Sequence, residues 1–207
     1  MKGLIIKDLF ALRKQGKMIL MLAVFYTLFS VFTKNISMLG AMIALLCTMM
    51  PITTMSFDEY CKWDRYALAM PVSGKMIVLS KYILGLMLTL AGLAVISAAS
   101  IGIVVITGEM PISDALFTCF CIGVISLALQ SVLLPILFKF GVEKGRFLLL
   151  PIFLVPAAVI FLLSKLGFTL PDAQTLKMLA YLSPAAVVPL IILSVFISIG
   201  IYSKKEF

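Results

Sequence analysis

The side chains able to do chemistry in this 207-residue chain are four cysteines, nine carboxylates and 17 lysines and arginines; histidine is absent. Without histidine, no Ser/His/Asp or Cys/His set can be assembled for nucleophilic catalysis. Cys47, Cys119 and Cys121 sit inside apolar runs, and Cys61 sits in a charged stretch. Cys119 and Cys121 are two apart, which turns them to different faces of a helix. No spacing matches a zinc site, so the three thiols in apolar runs read as packing groups. Gly74-Lys75 lacks the upstream glycine and the following Ser or Thr of a phosphate-binding G-x-x-x-x-G-K-[ST] loop. No catalysis and no bound cofactor is expected of the chain itself.

The densest group of polar and aromatic residues reads Phe57-Asp58-Glu59-Tyr60-Cys61-Lys62-Trp63-Asp64-Arg65-Tyr66-Ala67-Leu68-Ala69-Met70-Pro71-Val72-Ser73-Gly74-Lys75. It holds the only tryptophan and three of the nine acids. Lys62 to Leu68 predicts a short amphipathic helix, and Pro71 ends it, because the residue before a proline is pushed out of the helical region. Ser73 stands where it can cap the next helix. Two readings fit this segment. One is a belt of aromatic and basic side chains at the lipid headgroups. The other is a docking surface with Trp63, Arg65 and Tyr66 as anchors, residue types enriched in interface hot spots.

Composition fixes where these residues must sit. The chain is 63% hydrophobic and 13% charged, against roughly 45–50% and about 25% for a soluble domain. A soluble fold of this size cannot hide so much apolar surface. Crossing a bilayer takes about 20 apolar residues per helix. Uncharged runs predict six transmembrane helices at about 18–34, 36–57, 80–107, 114–138, 146–165 and 178–203. The expected fold is an all-α integral membrane domain spanning 1–207. An amphipathic interfacial helix (1–17) precedes the spans, and a short coupling helix lies in the loop 58–75.

Basic residues set the orientation. Fourteen of them fall on one side: Lys2, Lys7, Arg13, Lys14, Lys17, Lys62, Arg65, Lys75, Lys81, Lys139, Lys144, Arg146, Lys204 and Lys205. Only Lys34, Lys165 and Lys177 fall on the other. Such a bias predicts that both termini and the loop 58–75 are cytoplasmic. The net charge of +8 is therefore a topology signal and not a nucleic-acid face. Basic residues followed by Met18–Phe32 resemble a secretory signal, but the run ends Val31-Phe32-Thr33-Lys34 with no small-residue cleavage site. It reads as a first span.

Leu4, Ile5, Leu9 and Leu12 recur at helical spacing among Lys7, Asp8, Arg13 and Lys14, the pattern of a helix lying in the membrane interface. A plain basic flank is the alternative. Pro135, Pro151, Pro156, Pro184 and Pro189 can each bend a helix. Ala94, Ala98 and Gly102 predict a flat face for a packing helix. No Asp, Glu, Lys or Arg lies mid-span, so no ion-coupling group is evident and energy is expected from outside. Gln130 predicts an interhelical hydrogen bond, and a place on a transport path is the sharper reading. Ser126, Ser97 and Ser100 are weaker path candidates, because they can bond their own helix backbone.

Asp58-Glu59, Trp63-Asp64-Arg65-Tyr66, Met70-Pro71-Val72-Ser73 and Val78-Leu79-Ser80-Lys81-Tyr82 resemble the signature of small bacterial type-2 ABC exporter permeases. The subgroup includes permeases of phenol-soluble modulin exporters, whose start Lys7-Asp8-Leu9 also resembles. The resemblance implies a dimer of permease chains in the cytoplasmic membrane, identical or not, driven by two separate ATP-binding subunits that carry ATP and Mg. It implies that the loop after span two is a coupling helix docked on the ATPase. Carried over, the coupling residues are Asp58, Glu59, Trp63, Asp64, Arg65, Tyr66, Pro71 and Lys81, with Lys139–Arg146 as a second contact. Cargo of this subgroup would be amphipathic peptide, for secretion or self-protection. The segment Lys165–Lys177 is too short for the extended external re-entrant helices of larger members. A non-transporting immunity or lipid-interacting protein is the alternative, and a gradient-driven carrier the third.

Overall fold

The computed structural model describes residues 1–33, 36–63, 66–67, 73–108, 111–165 and 173–204. These residues form five long helices and, among themselves, no strand: α1 Lys2–Thr33, α2 Ile36–Tyr60, α3 Gly74–Thr107, α4 Ile112–Lys165 and α5 Ala173–Ser203. Among the described residues, five segments are long and apolar enough to cross a membrane: Gln15–Thr33, Ser37–Tyr60, Gly74–Val105, Ile112–Gly145 and Lys177–Ser203. Helix is the expected answer here, because in lipid every backbone N–H and C=O must find its partner within the chain.

Several expected boundaries move. The interfacial helix and first span are one uninterrupted helix, α1. A single glycine, Gly16, costs only about 1 kcal/mol within a helix and does not break it. α2 runs on to Tyr60, so Asp58 and Glu59 lie in its last turn and not in a loop. α3 begins at Gly74, with Ser73 in the N-cap position but without a side-chain cap bond. The predicted spans 114–138 and 146–165 belong to the one long element, α4, whose regular geometry is interrupted at Gly141 (φ 79°, ψ 172°). The helical backbone runs on through Pro135, Pro184 and Pro189, so the sharpest departure falls at a glycine and not at a proline.

α4 packs against α2, α3 and α5, while α1 lies against α2 and α3. Two apolar clusters mark the two ends of the bundle. One joins Leu39, Ile43 and Cys47 of α2 with Ile96 and Ile103 of α3 and Ala115 and Cys119 of α4. The other joins Ile52 and Met55 of α2, Ala67 of the segment between α2 and α3, Ile77 and Val78 of α3, Leu137, Phe138 and Val142 of α4, and Tyr202 of α5. Leu4 and Trp63 pack against this second cluster. Both described chain ends therefore meet at the same end of the bundle. The face of Ala94, Ala98 and Gly102 is exposed, with nothing within 4 Å of a side chain built at Gly102. Among the described residues, no partner helix packs on that face at Gly102.

Candidate functional site

The end of the bundle that gathers the termini also gathers charge. On α1, Leu4, Asp8 and Leu12 are spaced four apart and share one face. Leu12 and Asp8 are buried on it. On α2, Thr54 and Asp58 are likewise four apart; on α3, Ile77 and Lys81 are. These three faces converge. Lys81 Nζ donates to Asp8 Oδ1 and Oδ2 at 2.9 and 2.8 Å, to Asp58 Oδ2 at 2.6 Å and to Thr54 Oγ1 at 3.4 Å. Lys7 Nζ closes the ring, with a hydrogen bond to Asp58 Oδ1 and an ion-pair contact to Asp8 Oδ1 at 3.2 Å. Two lysines face two aspartates, so the hub is balanced in charge.

The hub extends in two directions. Lys7 Nζ lies 4.4 Å from the centre of the Trp63 ring, a cation–π contact that holds the segment after α2 against α1. On the other side, both carboxylate oxygens of Glu59 accept the Val142 N–H, at 2.9 and 3.0 Å. A void of about 20 Å³, the room of a single water, lies between Asp58, Glu59 and Lys81 and the apolar wall of Ile77, Phe138 and Tyr202. Lys62, just past the end of α2, takes φ 51° and turns the chain. Among the described residues, no cluster of His, Cys, Asp and Glu is arranged to hold a metal ion.

A neutral polar seam runs deeper between α3, α4 and α5. Gln130 Nε2 donates to the Gly85 carbonyl at 3.4 Å, and Thr89 Oγ1 donates to Gln130 Oε1 at 3.5 Å. A side chain at Gly85 would meet Gln130 Oε1 at 2.9 Å, so the glycine is what admits the amide. Tyr82 Oη is 2.6 Å from Ser194 Oγ and 2.8 Å from Ser198 Oγ, and Ser194 donates to the Ser131 carbonyl. Beside this seam is an open, mostly apolar cavity of about 180 Å³, lined by Tyr82, Leu86, Gln130 and Ile191 among others.

A family model described as ABC-2 family transporter protein matches residues 3–203. The chain belongs to this family. No curated protein and no solved structure matches it. Membership makes the chain a multi-pass membrane permease, a transporter component that is not itself catalytic, and implies an ATP-binding partner subunit.

In this ABC-2 permease the residues singled out by sequence divide into three groups. Asp58 and Lys81 meet in the hub, and Glu59 sits beside it on the α4 break. Trp63 is half-buried and turned inward to Lys7 and the core, whereas Tyr66 is 64% exposed. Asp64, Arg65 and Pro71 lie outside the described residues. Of the deeper residues, Gln130 bonds α3 to α4, Ser126 donates to the Gly123 carbonyl, Ser97 to Ala94, and Ser100 to Ile96. Sequence reasoning did not find Asp8, Lys7, Thr54 or the Gly141–Val142 break as members of the site. The Asp8 signal was present: it falls in register between Leu4 and Leu12, on the side that packs inward.

Proposed function

We propose that this chain is the permease subunit of an ATP-driven exporter in a bacterial cytoplasmic membrane. It pairs with a second permease chain and two ATP-binding subunits, which supply ATP and Mg. Its cargo is amphipathic or lipophilic, with an amphipathic peptide as first choice. The observation that carries the reading is the family match along nearly the whole chain. The hub adds to it. A push delivered to the segment after α2 would reach α1 through Trp63 and Lys7, and α3 through Asp58 and Lys81. Asp58, Glu59, Trp63, Asp64, Arg65, Tyr66, Pro71 and Lys81 form the coupling region of this reading, with Tyr66 as its exposed edge. Ser126, Ser97 and Ser100 are taken up by their own helices and Gln130 by Gly85 and Thr89 of α3, so they offer a hydrophilic solute little. That scarcity favours lipophilic cargo.

Six crossings with both termini cytoplasmic are the matching topology. Glu59 meets Val142 at the hub end, while Lys177 pairs with Asp114 at the end where α4 begins. In this reading the chain between 142 and 177 returns from one end of the bundle to the other. α4, at 54 residues, would be about 80 Å long if straight, more than twice a hydrocarbon core of about 30 Å. Its break at Gly141 supplies the turn. The test is co-purification of the chain with the ATP-binding subunit encoded beside it, followed by ATP-dependent cargo efflux from proteoliposomes holding both. Normal ATPase binding by the Trp63→Ala/Arg65→Ala double variant would overturn the coupling assignment. Full cellular function without any ATPase partner would favour an immunity or lipid-interacting role instead.

A further inference from the structure

The second half of α4 starts as any helix does, with backbone N–H groups that have no carbonyl partner behind them. A side chain one or a few residues earlier usually answers them. Here the residue at the break is Gly141, which has no side chain to offer. Its φ of 79° with ψ of 172° is a backbone conformation open essentially to glycine alone. The acceptor comes from another helix: Glu59, in the last turn of α2, takes the Val142 N–H on both oxygens at 2.9 and 3.0 Å. Its negative charge also lies at the positive end of the new helix. The fit is tight, since a side chain at Gly141 would stand 3.0 Å from Glu59 Oε1.

Glu59 directly follows Asp58, a member of the hub, and Val142 is buried in the same apolar cluster as Ala67 and Ile77. We propose that Glu59 is a positioning residue that clasps the break of α4 to the end of α2. Movement of the α2 end is thereby passed into the arm 142–165 as well as into α1 and α3. This reassigns Glu59 from a surface contact on the ATPase to an internal joint. Its consequence for transport rests on the permease reading above; the joint itself does not.

Two measurements keep these apart. The first uses the full chain in lipid nanodiscs, with Cys47, Cys119 and Cys121 replaced by alanine. Spin labels at the exposed native Cys61 and at Lys144→Cys report the distance across the joint. The distribution is expected to be narrow with Glu59 present and clearly broader in Glu59→Ala, with Glu59→Gln between them. Val142→Pro deletes the donor at a first helical position, where proline is tolerated. It should broaden the distribution as Glu59→Ala does, and the double variant should go no further than either. Unchanged distances in Glu59→Ala, or additive broadening in the double variant, overturn the clasp. The second measurement adds the ATP-binding subunit. Glu59→Ala should bind it as well as the parent does, while cargo moved per ATP hydrolysed falls about tenfold. Loss of binding matching that of Tyr66→Ala would make Glu59 a docking contact instead. If the parent chain binds no ATPase, the permease reading fails and the distance measurement still decides the clasp.

Discussion

Lys81 is 3% exposed and Asp8 is 1% exposed, so neither is solvated by water. A buried charge of this kind is tolerated only when it is paired and hydrogen-bonded. The hub meets that condition: among the described residues, no buried side-chain nitrogen or oxygen lacks a partner. Removing one member of such a pair strands the other, at a cost of about 3–5 kcal/mol. Lys81→Met should therefore lower the melting temperature of the purified protein sharply. Lys81→Met combined with Asp8→Leu leaves Lys7 facing Asp58, again balanced, and should recover most of the loss. A double variant that melts as low as the sum of the two single losses would show that Lys81 and Asp8 are not coupled. Lys62 offers a milder test, since a lysine at φ 51° is held where glycine is at ease. Lys62→Gly should be neutral or stabilising by up to about 1 kcal/mol.

At the scale of helices, the break in α4 is the feature on which the arrangement turns. Gly141→Ala forces a side chain into a glycine-only conformation and toward Glu59. The expected cost is about 1–3 kcal/mol, read as a lower melting temperature. Glu59→Ala should relieve only the steric part of it. Gly141 lies at the edge of an apolar run and before Glu143 and Lys144, which is also where a loop would fall. Only the acceptor from α2, 83 residues away from Val142 in sequence, explains why no loop is needed. The helices themselves were legible because apolar runs between charges translate directly into membrane length. Asp58 and Lys81 could be singled out as members of a charged segment. Asp8 could not be matched to them, since periodicity places a residue on a face but does not say which other face it meets. The stripe at Ala94, Ala98 and Gly102 shows the same limit: its spacing permits close approach, and among the described residues nothing stands within 4 Å of a side chain at Gly102.

For the whole molecule, the contacts at the two ends of the bundle favour the six-crossing topology proposed above. Asp58, Glu59, Lys7 and Lys81 tie the starts of α1 and α3 and the end of α2 together at the hub. Lys177 and Asp114 tie the starts of α5 and α4 together at the far end, 3.3 Å apart. That outer pair is about half exposed on both sides, so breaking it should cost less than about 1 kcal/mol. Its value is as a marker of position. In whole cells, a membrane-impermeant maleimide should react with Lys177→Cys and with Lys165→Cys. Cys61 and Lys144→Cys should react only after the membrane is opened. Lys144 and Lys165 stand on the same arm of α4, so opposite accessibility of these two is what a crossing by that arm requires. Equal accessibility would leave the arm on one side of the membrane and remove the sixth crossing.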